Sequence, residues 1–210
     1  NRGVDTAAAV RTFLVPDFKA LLPPDELPNA TAAARRLAAA VRERKKIVIY
    51  GDYDVDGITG TAILWHMLKL AGADVGFYVP SRLEEGYGLN ADAVERLAVE
   101  GTQVLVTVDC GITAVEEARR ARALGVELII TDHHQPRAEL PEAAVTVHPT
   151  ACGTSANPDL SGAGVALKIA WSLAKEMSGG ERVAPAYRDL LLDATTFAAL
   201  GLIADVVPLT

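Results

Sequence analysis

The sequence predicts an α/β fold: a five-stranded, mainly parallel sheet with helices on both faces. Five short apolar runs rich in β-branched residues alternate with helix-like segments, which is the pattern of parallel strands joined by crossover helices. Glycine follows several of the helix-like segments and ends them. Three of the apolar runs also lead directly into acidic residues. Parallel strands joined by right-handed crossovers bring such residues to one edge of the sheet.

The elements follow in order along the chain. Residues 1–46 are predicted to form a helical lead-in that breaks at Pro23-Pro24 and resumes with Asn29 or Thr31 as a helix cap. The predicted strands are 47–51, 75–79, 103–108, 127–131 and 144–147, with helices between them at 57–71, 90–100 and 114–124. Asn90 and Thr113 are predicted to cap the second and third of these helices. Two further helices are predicted at 161–177 and 186–202.

This order divides the chain into three parts. They are the helical lead-in 1–46, a parallel α/β metal-binding core 47–150, and a helical extension 151–210 that completes the same domain. The strand order 2-1-3-4-5 is preferred because it makes strands 1, 3 and 4 neighbours. Those three strands carry the acidic motifs.

Composition limits the classes of function. The chain has 210 residues, half of them apolar, which is enough for a sizeable core. No segment has the length and hydropathy of a membrane span or a signal peptide, and Cys110 and Cys152 form no CxxC pair. A cytoplasmic protein without membrane attachment is expected. The net charge of −7 argues against a surface that coats nucleic acid, although a module outside this chain could supply a basic surface.

The segment 52–57, Asp-Tyr-Asp-Val-Asp-Gly, follows the first predicted strand. Carboxylates this close repel each other unless cations neutralise them, and their oxygens suit Mg²⁺ and Mn²⁺. The plainer alternatives are a solvated turn and a helix cap formed by Asp56. An EF-hand loop is disfavoured because Ile63 stands where its glutamate belongs. The segment also lacks the signatures of phosphate-binding and dinucleotide-binding loops.

Two more motifs follow the third and fourth strands: Asp109, and the triplet Asp132-His133-His134. Asp109 by itself could be a helix cap, but Thr113 is expected to fill that position. A solvated loop is the plainer alternative for the triplet, but adjacent histidines directly after a buried strand are unusual in such a loop. Imidazole ligands also shift the preference of a metal site towards Mn²⁺. Together the three motifs place five Asp and two His at one edge of the sheet. They predict a divalent-metal site, of the kind that cleaves phosphoesters.

The sequence resembles the DHH phosphoesterase family and, within it, the RecJ-type branch of single-strand-specific exonucleases. The segments that carry the resemblance are 49–59, 80–89, 108–113, 131–134, 162–168 and 204–209. The branch implies a metal-dependent 5′-to-3′ exonuclease that acts on single-stranded DNA in DNA repair and recombination. It also implies a monomer, a single-strand-binding protein as a partner, and further domains that this chain does not contain.

The resemblance implies a site with two ions, Mn²⁺ or Mg²⁺, that assist the attack of water on a phosphodiester. It implies Asp109 as the bridging ligand, Asp52 as a catalytic residue that ligates a metal or positions water, Asp132 as the residue that orients a histidine, and His134 as the group facing the phosphate. Tyr50 stands where other branches place a histidine, which is expected to weaken one metal site. The implied metal ligands are Asp54, Asp56, Asp109, His133 and Asp205.

Substrate contacts are predicted in the loop after the second strand. Arg82 is predicted to hold a phosphate, with an ion pair to Glu84 or Glu85 as the alternative. Tyr87 is predicted to stack on an unpaired base, with core packing as the alternative. The glycines that begin helix 161–177 either expose its first amides to a phosphate or allow close packing.

Other functions remain open at this point. One is a DHH phosphodiesterase acting on short oligonucleotides or cyclic dinucleotides, and another is a pyrophosphatase or polyphosphatase. A third is a non-catalytic scaffold that has kept only the fold. The scaffold is disfavoured because all the implied ligands, apart from the one replaced by Tyr50, are present.

Overall fold

The computed structural model describes residues 4–15, 17–180 and 182–208. Parts of three predicted segments lie outside the described residues. They are residues 1–3 and 16 of the lead-in, residues 181, 209 and 210 of the extension, and with residue 209 the last position of the segment 204–209. The strands are β1 (Ile47–Gly51), β2 (Val75–Tyr78), β3 (Val104–Val108), β4 (Glu127–Thr131) and β5 (Val145–Val147). The helices are α1 (Ala7–Leu14), α2 (Ala30–Arg42), α3 (Val55–Leu70), α4 (Ala91–Val99), α5 (Val115–Ala123), α6 (Gly162–Ser178) and α7 (Pro185–Ala204), and Phe18–Ala20 and Pro24–Glu26 are short 3₁₀ turns.

The five strands form one parallel sheet in the order β2-β1-β3-β4-β5, as predicted. In β1, Gly51 is in register with Val108 of β3. The last residues of these two strands therefore lie side by side, and the acidic motifs follow them directly. β4 is the next neighbour of β3, so the DHH triplet emerges at the same edge.

Helices cover both faces of the sheet, which confirms the predicted fold class. Side chains alternate between the faces along β1. Ile47 and Ile49 pack with α2, α3 and α6, whereas Val48 and Tyr50 pack with α4 and α5. The last helix, α7, lies outside this layer against α3 and α6. Among the described residues, no helix has the combination of length and hydropathy that a membrane span needs.

Two predicted side-chain caps and one predicted helix start differ from the structure, and tertiary contacts account for the two caps. Asn29 precedes α2 but adopts a left-handed backbone and caps no amide, because its side chain donates to the carbonyl of Thr146. The predicted cap Thr113 also fails: α5 begins at Val115, and the amide of Ile112 is bound to Asp132. Helix α3 begins two residues earlier than expected, with Asp54 as its cap.

Candidate metal centre

The carboxyl edge of β1, β3 and β4 gathers the acidic residues that the sequence motifs contain. Asp52, Asp56, Asp109 and Asp132 are each at most 3% exposed. Burying four carboxyl groups this close together is unfavourable unless hydrogen bonds, protons or cations compensate.

His133 lies at the centre of the cluster. Its Nε2 atom is 3.1 Å from Oδ1 of Asp109, 3.5 Å from Oδ2 of Asp205 and 3.7 Å from Oδ2 of Asp56. These four residues come from the loops after β3 and β4, from α3 and from the end of α7. The structure thus brings together four of the five predicted metal ligands around one imidazole nitrogen.

Two atoms of this cluster have no hydrogen-bond partner. Both Oδ1 of Asp109 and Nε2 of His133 are buried, and neither has a partner with hydrogen-bond geometry among the described residues, although the two atoms lie 3.1 Å apart. Buried polar atoms are nearly always satisfied, and a carboxylate oxygen facing an imidazole nitrogen and other carboxylates is a set of donors that suits a divalent cation. The residues present therefore fit the implied metal.

Asp109 lies where several possible coordination sets overlap. In three groups, each with its ligand atoms within 4.8 Å of one another, Asp109 occurs twice and His133 twice. The predicted ligand Asp54 and the predicted catalytic residue Asp52 form the third group with Asp109. The groups are Asp56, His133 and Asp205; Asp109, His133 and His134; and Asp52, Asp54 and Asp109.

The backbone at Asp109 is unusual for a residue with a side chain. Its φ of 63° lies in the left-handed region, which residues other than glycine rarely adopt. The amide of Asp109 donates to the carbonyl of Thr131 at 3.1 Å, and this bond ties the residue after β3 to the end of β4. The absence of a side chain at Gly162 leaves room for the carboxylate, because a Cβ there would lie 2.6 Å from Oδ1 of Asp109.

Asp56 is held by the start of α6, a contact that sequence analysis missed. The amides of Gly162 and Ala163 donate to its Oδ2 and Oδ1 at 2.5 Å and 3.0 Å. A helix N-terminus favours negative charge, so these amides support a carboxylate instead of facing a substrate phosphate. Gly201 of α7 completes the enclosure, since a Cβ there would collide with Oδ1 of Asp56. The small residues Gly162, Ala163 and Gly201 were the feature of the sequence that could have predicted this contact.

Asp132 organises the DHH loop. Its Oδ1 accepts bonds from the amides of His133 and His134 and lies 2.8 Å from Nδ1 of His134, and its Oδ2 accepts the amide of Ile112. Burial alone would raise the pKa of Asp132, but its bonds with His134 and these amides hold it below its usual value. Its carboxylate in turn raises the pKa of His134.

His148 contacts the DHH loop from the end of β5. Its Nδ1 accepts from the amides of Thr150 at 3.0 Å and Ala151 at 2.9 Å. That nitrogen is therefore unprotonated, and Nε2 donates to the carbonyl of His134 at 2.8 Å. The sequence gave no sign of this contact between His148 and the DHH loop.

The pKa values of three carboxyl groups in the cluster, those of Asp52, Asp109 and Asp205, are raised. Burial, with a smaller effect from the nearby Asp56, raises the pKa of Asp109 to about 10. Burial also raises the pKa values of Asp52 and Asp205. In the absence of cations the centre is therefore expected to keep at least one proton at neutral pH.

The loop after β2 brings the two predicted substrate contacts to this edge. Arg82 forms no ion pair among the described residues, and its guanidinium lies 5.3 Å from the centre of the Tyr53 ring. The alternative partner Glu85 is bonded to Tyr78 instead. Tyr87 is 51% exposed, which excludes core packing, and its hydroxyl is 3.1 Å from Nδ1 of His134.

The fold and the centre define the class of protein. The profile of the "DHH family, N-terminal domain" matches residues 46–195. The chain therefore belongs to the DHH family, as its motifs predicted.

Among known proteins, the chain is similar to RecJ exonucleases. It is 43% identical, over all of its 210 residues, to the single-stranded-DNA-specific exonuclease RecJ of Bacillus subtilis, of which it covers 25%. A crystal structure of an exonuclease RecJ bound to manganese matches with a TM-score of 0.77 and 42% identity, over 90% of this chain and 45% of that one. A RecJ structure with Mg²⁺ from Thermus thermophilus matches with a TM-score of 0.60 and 32% identity, over 96% of this chain and 25% of that one. The resemblance to the RecJ branch is thereby confirmed.

Proposed function

We propose that the chain is the metal-binding part of a single-strand-specific exonuclease that hydrolyses DNA from the 5′ end. The observation that carries this proposal is that Oδ1 of Asp109 and Nε2 of His133 are buried without a hydrogen-bond partner among the described residues, 3.1 Å from each other and close to Asp56 and Asp205. The name of the RecJ relative supplies the substrate class, and the direction of digestion is the one that the family resemblance implies. Because the chain spans only about a quarter of the length of that relative, the activity of the whole protein is part of the proposal.

Two ions, Mn²⁺ or Mg²⁺, would be held by residues that the loops and helices of the sheet edge supply. Such ions lower the pKa of water and stabilise negative charge on the oxygens of a phosphodiester. Asp109 is central among the candidate ligands and is the one we assign to both ions. The proposed ligands are Asp54, Asp56, Asp109, His133 and Asp205.

The remaining residues act on the substrate from the protein side. Asp132 holds Nδ1 of His134, so Nε2 is the ring nitrogen left to donate to a phosphate oxygen. Asp52, whose Oδ1 accepts the amide of Tyr53, is proposed to ligate a metal or to position the attacking water. Arg82 would hold a neighbouring phosphate, and Tyr87 would stack on a base.

Several wider assignments follow from the same proposal. As the family resemblance implies, we propose a role in DNA repair and recombination in the cytoplasm, action as a monomer, and association with a single-strand-binding protein. We also propose that the extension 151–210 belongs to the same domain as the core 47–150. In support, α6 donates two amides to Asp56, and Asp205 follows α7 at a distance of 3.5 Å from His133.

The first experiment measures Mn²⁺ binding to the chain by titration calorimetry. Wild type is expected to bind two Mn²⁺ ions. Asp109→Ala is expected to bind Mn²⁺ at least about 100-fold more weakly, because Asp109 is the proposed ligand of both ions. Asp193→Ala is the matched control, since the Asp193 side chain is exposed on α7 and makes no hydrogen bond or ion pair among the described residues. Equal Mn²⁺ affinity in wild type and Asp109→Ala would exclude this metal centre.

The second experiment tests the reaction in a chimaera, in which the chain replaces the matching quarter of Bacillus subtilis RecJ. The chimaera is expected to release nucleotides from a long 5′-labelled single strand in Mn²⁺, and its Asp109→Ala variant to release none. Turnover of pyrophosphate or of very short oligonucleotides in place of the long strand would favour the rival phosphoesterase functions. Mn²⁺ binding without turnover of any of these substrates would favour a scaffold.

A further inference from the structure

The loop between β2 and α4, residues 79–90, carries Arg82 and Tyr87 to the metal centre. It contains turns but no helix or strand. Gly86 and Gly88, on either side of Tyr87, have φ values of 78° and 91°, which glycine adopts at little cost. A loop of this kind is mobile unless side chains fix it. Its contacts therefore decide where Arg82 and Tyr87 are held.

Glu85 is the first point at which the loop is fixed. Its Oε1 accepts the Tyr78 hydroxyl at 2.5 Å, and its Oε2 accepts the amide of Ser81 at 2.9 Å. Arg96 of α4 donates to the same Tyr78 hydroxyl, lies 3.4 Å from Glu85 and stacks over the Tyr78 ring at 5.1 Å. The cluster therefore connects the strand before the loop, the loop itself and the helix after it.

Tyr50 is the second point at which the loop is fixed. Its ring is fully buried and lies 5.4 Å from the ring of Tyr78. Its hydroxyl donates to the carbonyl of Gly88 at 3.1 Å. Tyr50 is two residues before Asp52 in the chain, so the strand that leads into the first acidic motif also holds the loop.

The tip of the fixed loop meets the metal centre. The Tyr87 hydroxyl is 3.1 Å from Nδ1 of His134 and 3.5 Å from the carbonyl of Asp109. Arg82 stacks on Tyr53, which stands between two residues of the first acidic motif. Both proposed substrate contacts, Arg82 and Tyr87, thus lie beside the metal centre, although neither residue belongs to the sheet.

We propose that Tyr50, Tyr78, Glu85 and Arg96 form a buckle that fixes the loop 79–90 over the metal centre. On this view they are positioning residues, which set where Arg82 and Tyr87 meet the phosphates and bases of a single-stranded nucleic acid. The inference rests on the proposed function for its substrate. Its mechanical part, that the buckle orders the loop, is independent of that function.

The alternative is that the four residues only stabilise the fold. The side chains of Arg96 and Glu85 are 50% and 20% exposed, and exposed pairs contribute little to the free energy of unfolding. A structural role would lower that free energy and leave the affinity for substrate unchanged. A positioning role predicts a lower affinity for substrate with little change in the free energy of unfolding.

The ordering of the loop is tested by hydrogen exchange in the chain with Mn²⁺ bound. In Glu85→Ala, amides of residues 79–90 are expected to exchange at least about tenfold faster than in wild type, while Mn²⁺ affinity stays the same because no proposed ligand changes. Tyr50→Phe removes only the hydroxyl and should accelerate exchange around Gly88. The matched control is Glu84→Ala, in the same loop, because the Glu84 side chain is exposed and makes no hydrogen bond or ion pair among the described residues. Unchanged exchange in both buckle variants would overturn the inference.

The consequence for substrate is tested in the chimaera with a 5′-labelled oligothymidylate. Glu85→Ala is expected to raise KM about tenfold and to change kcat less than about threefold, since the loop binds substrate and the proposed reacting groups lie elsewhere. Glu85→Gln, which keeps an oxygen for the Tyr78 hydroxyl, should restore part of the loss. An unchanged KM together with faster loop exchange would refute the positioning role. If the unmodified chimaera degrades no DNA, the proposed function fails, and the exchange experiment still decides whether the buckle exists.

Discussion

The amide of Gly162 donates to Oδ2 of Asp56 at 2.5 Å, although the two residues are 106 positions apart in the chain. The same glycine leaves the space that the Asp109 carboxylate occupies. One residue at the start of α6 therefore holds one proposed metal ligand and makes room for another. This relationship links the helical part of the chain to the chemistry at the sheet edge, and it leads to the first prediction.

Gly162→Ala is expected to weaken Mn²⁺ binding at least about tenfold, because the new Cβ would lie 2.6 Å from Oδ1 of Asp109 and must displace the carboxylate or the helix. Overpacking of this kind also costs about 1–3 kcal/mol of stability. Calorimetry and urea unfolding measure the two effects. Gly180→Ala is the control, since a Cβ there meets no atom of the described residues within 4 Å apart from its chain neighbours. If Gly162→Ala binds Mn²⁺ like wild type, the close approach does not matter.

Asp109→Asn is expected to make the metal-free protein more stable at neutral and higher pH. The folded state raises the pKa of Asp109 from 3.8 to about 10. Between these values the unfolded chain has released the proton that the folded chain keeps, so wild type loses stability as pH rises through this window. Asparagine has no such proton to lose.

The measurement is thermal unfolding in EDTA from about pH 5 to about pH 9, followed by the same series with Mn²⁺. Without metal, the advantage of Asp109→Asn over wild type should grow with pH. With Mn²⁺, wild type should be stabilised and the variant much less so. A difference between the two proteins that does not depend on pH would contradict the raised pKa.

Asp132→Asn is expected to lower stability, whereas His134→Gln is expected to lower turnover. Asp132 is buried and bonded to His134 and three amides, so its replacement should cost about 3–5 kcal/mol of unfolding free energy. The His134 side chain is 40% exposed; His134→Gln should cost little stability but lower the turnover of the chimaera about 100-fold or more. Urea unfolding and single-strand hydrolysis separate the two effects. Similar stability losses in both variants would argue that His134 is structural.

His148→Phe is expected to destabilise the protein by about 1–3 kcal/mol in all, because part-buried polar groups lose their hydrogen-bond partner. The groups concerned are the carbonyl of His134 and the amides of Thr150 and Ala151. His66→Phe is the matched control, because His66 is exposed and, among the described residues, its side chain makes only a ring contact with Trp65. Should both variants unfold at the same urea concentration, the bond to the DHH loop has no measurable weight.

Much of the site follows from patterns that are local in sequence. The alternation of apolar runs and helical segments predicted all five strands, and the positions of the acidic motifs led to the prediction of their order. The positions of the acidic motifs directly after β1, β3 and β4 predicted that Asp56, Asp109 and His133 would meet. Parallel strands with right-handed crossovers leave little freedom for the loops that follow them, so a local pattern is enough to fix that edge.

The sequence by itself determined the sheet, its order and the motifs that it brings together, because strand periodicity and crossover geometry are properties of short segments. Only the tertiary structure decided which groups pair within the site. The amides of α6 that bind Asp56, the hydroxyl of Tyr50 that holds Gly88 and the bond from His148 to His134 each join residues that are far apart in the chain or lie on different elements. Contacts of the same kind account for the two predicted caps that failed. Asn29 bonds to Thr146, and Ile112, next to Thr113, bonds to Asp132. A hydrogen bond depends on distance and direction in space, and neither is encoded by the residues on only one side of it.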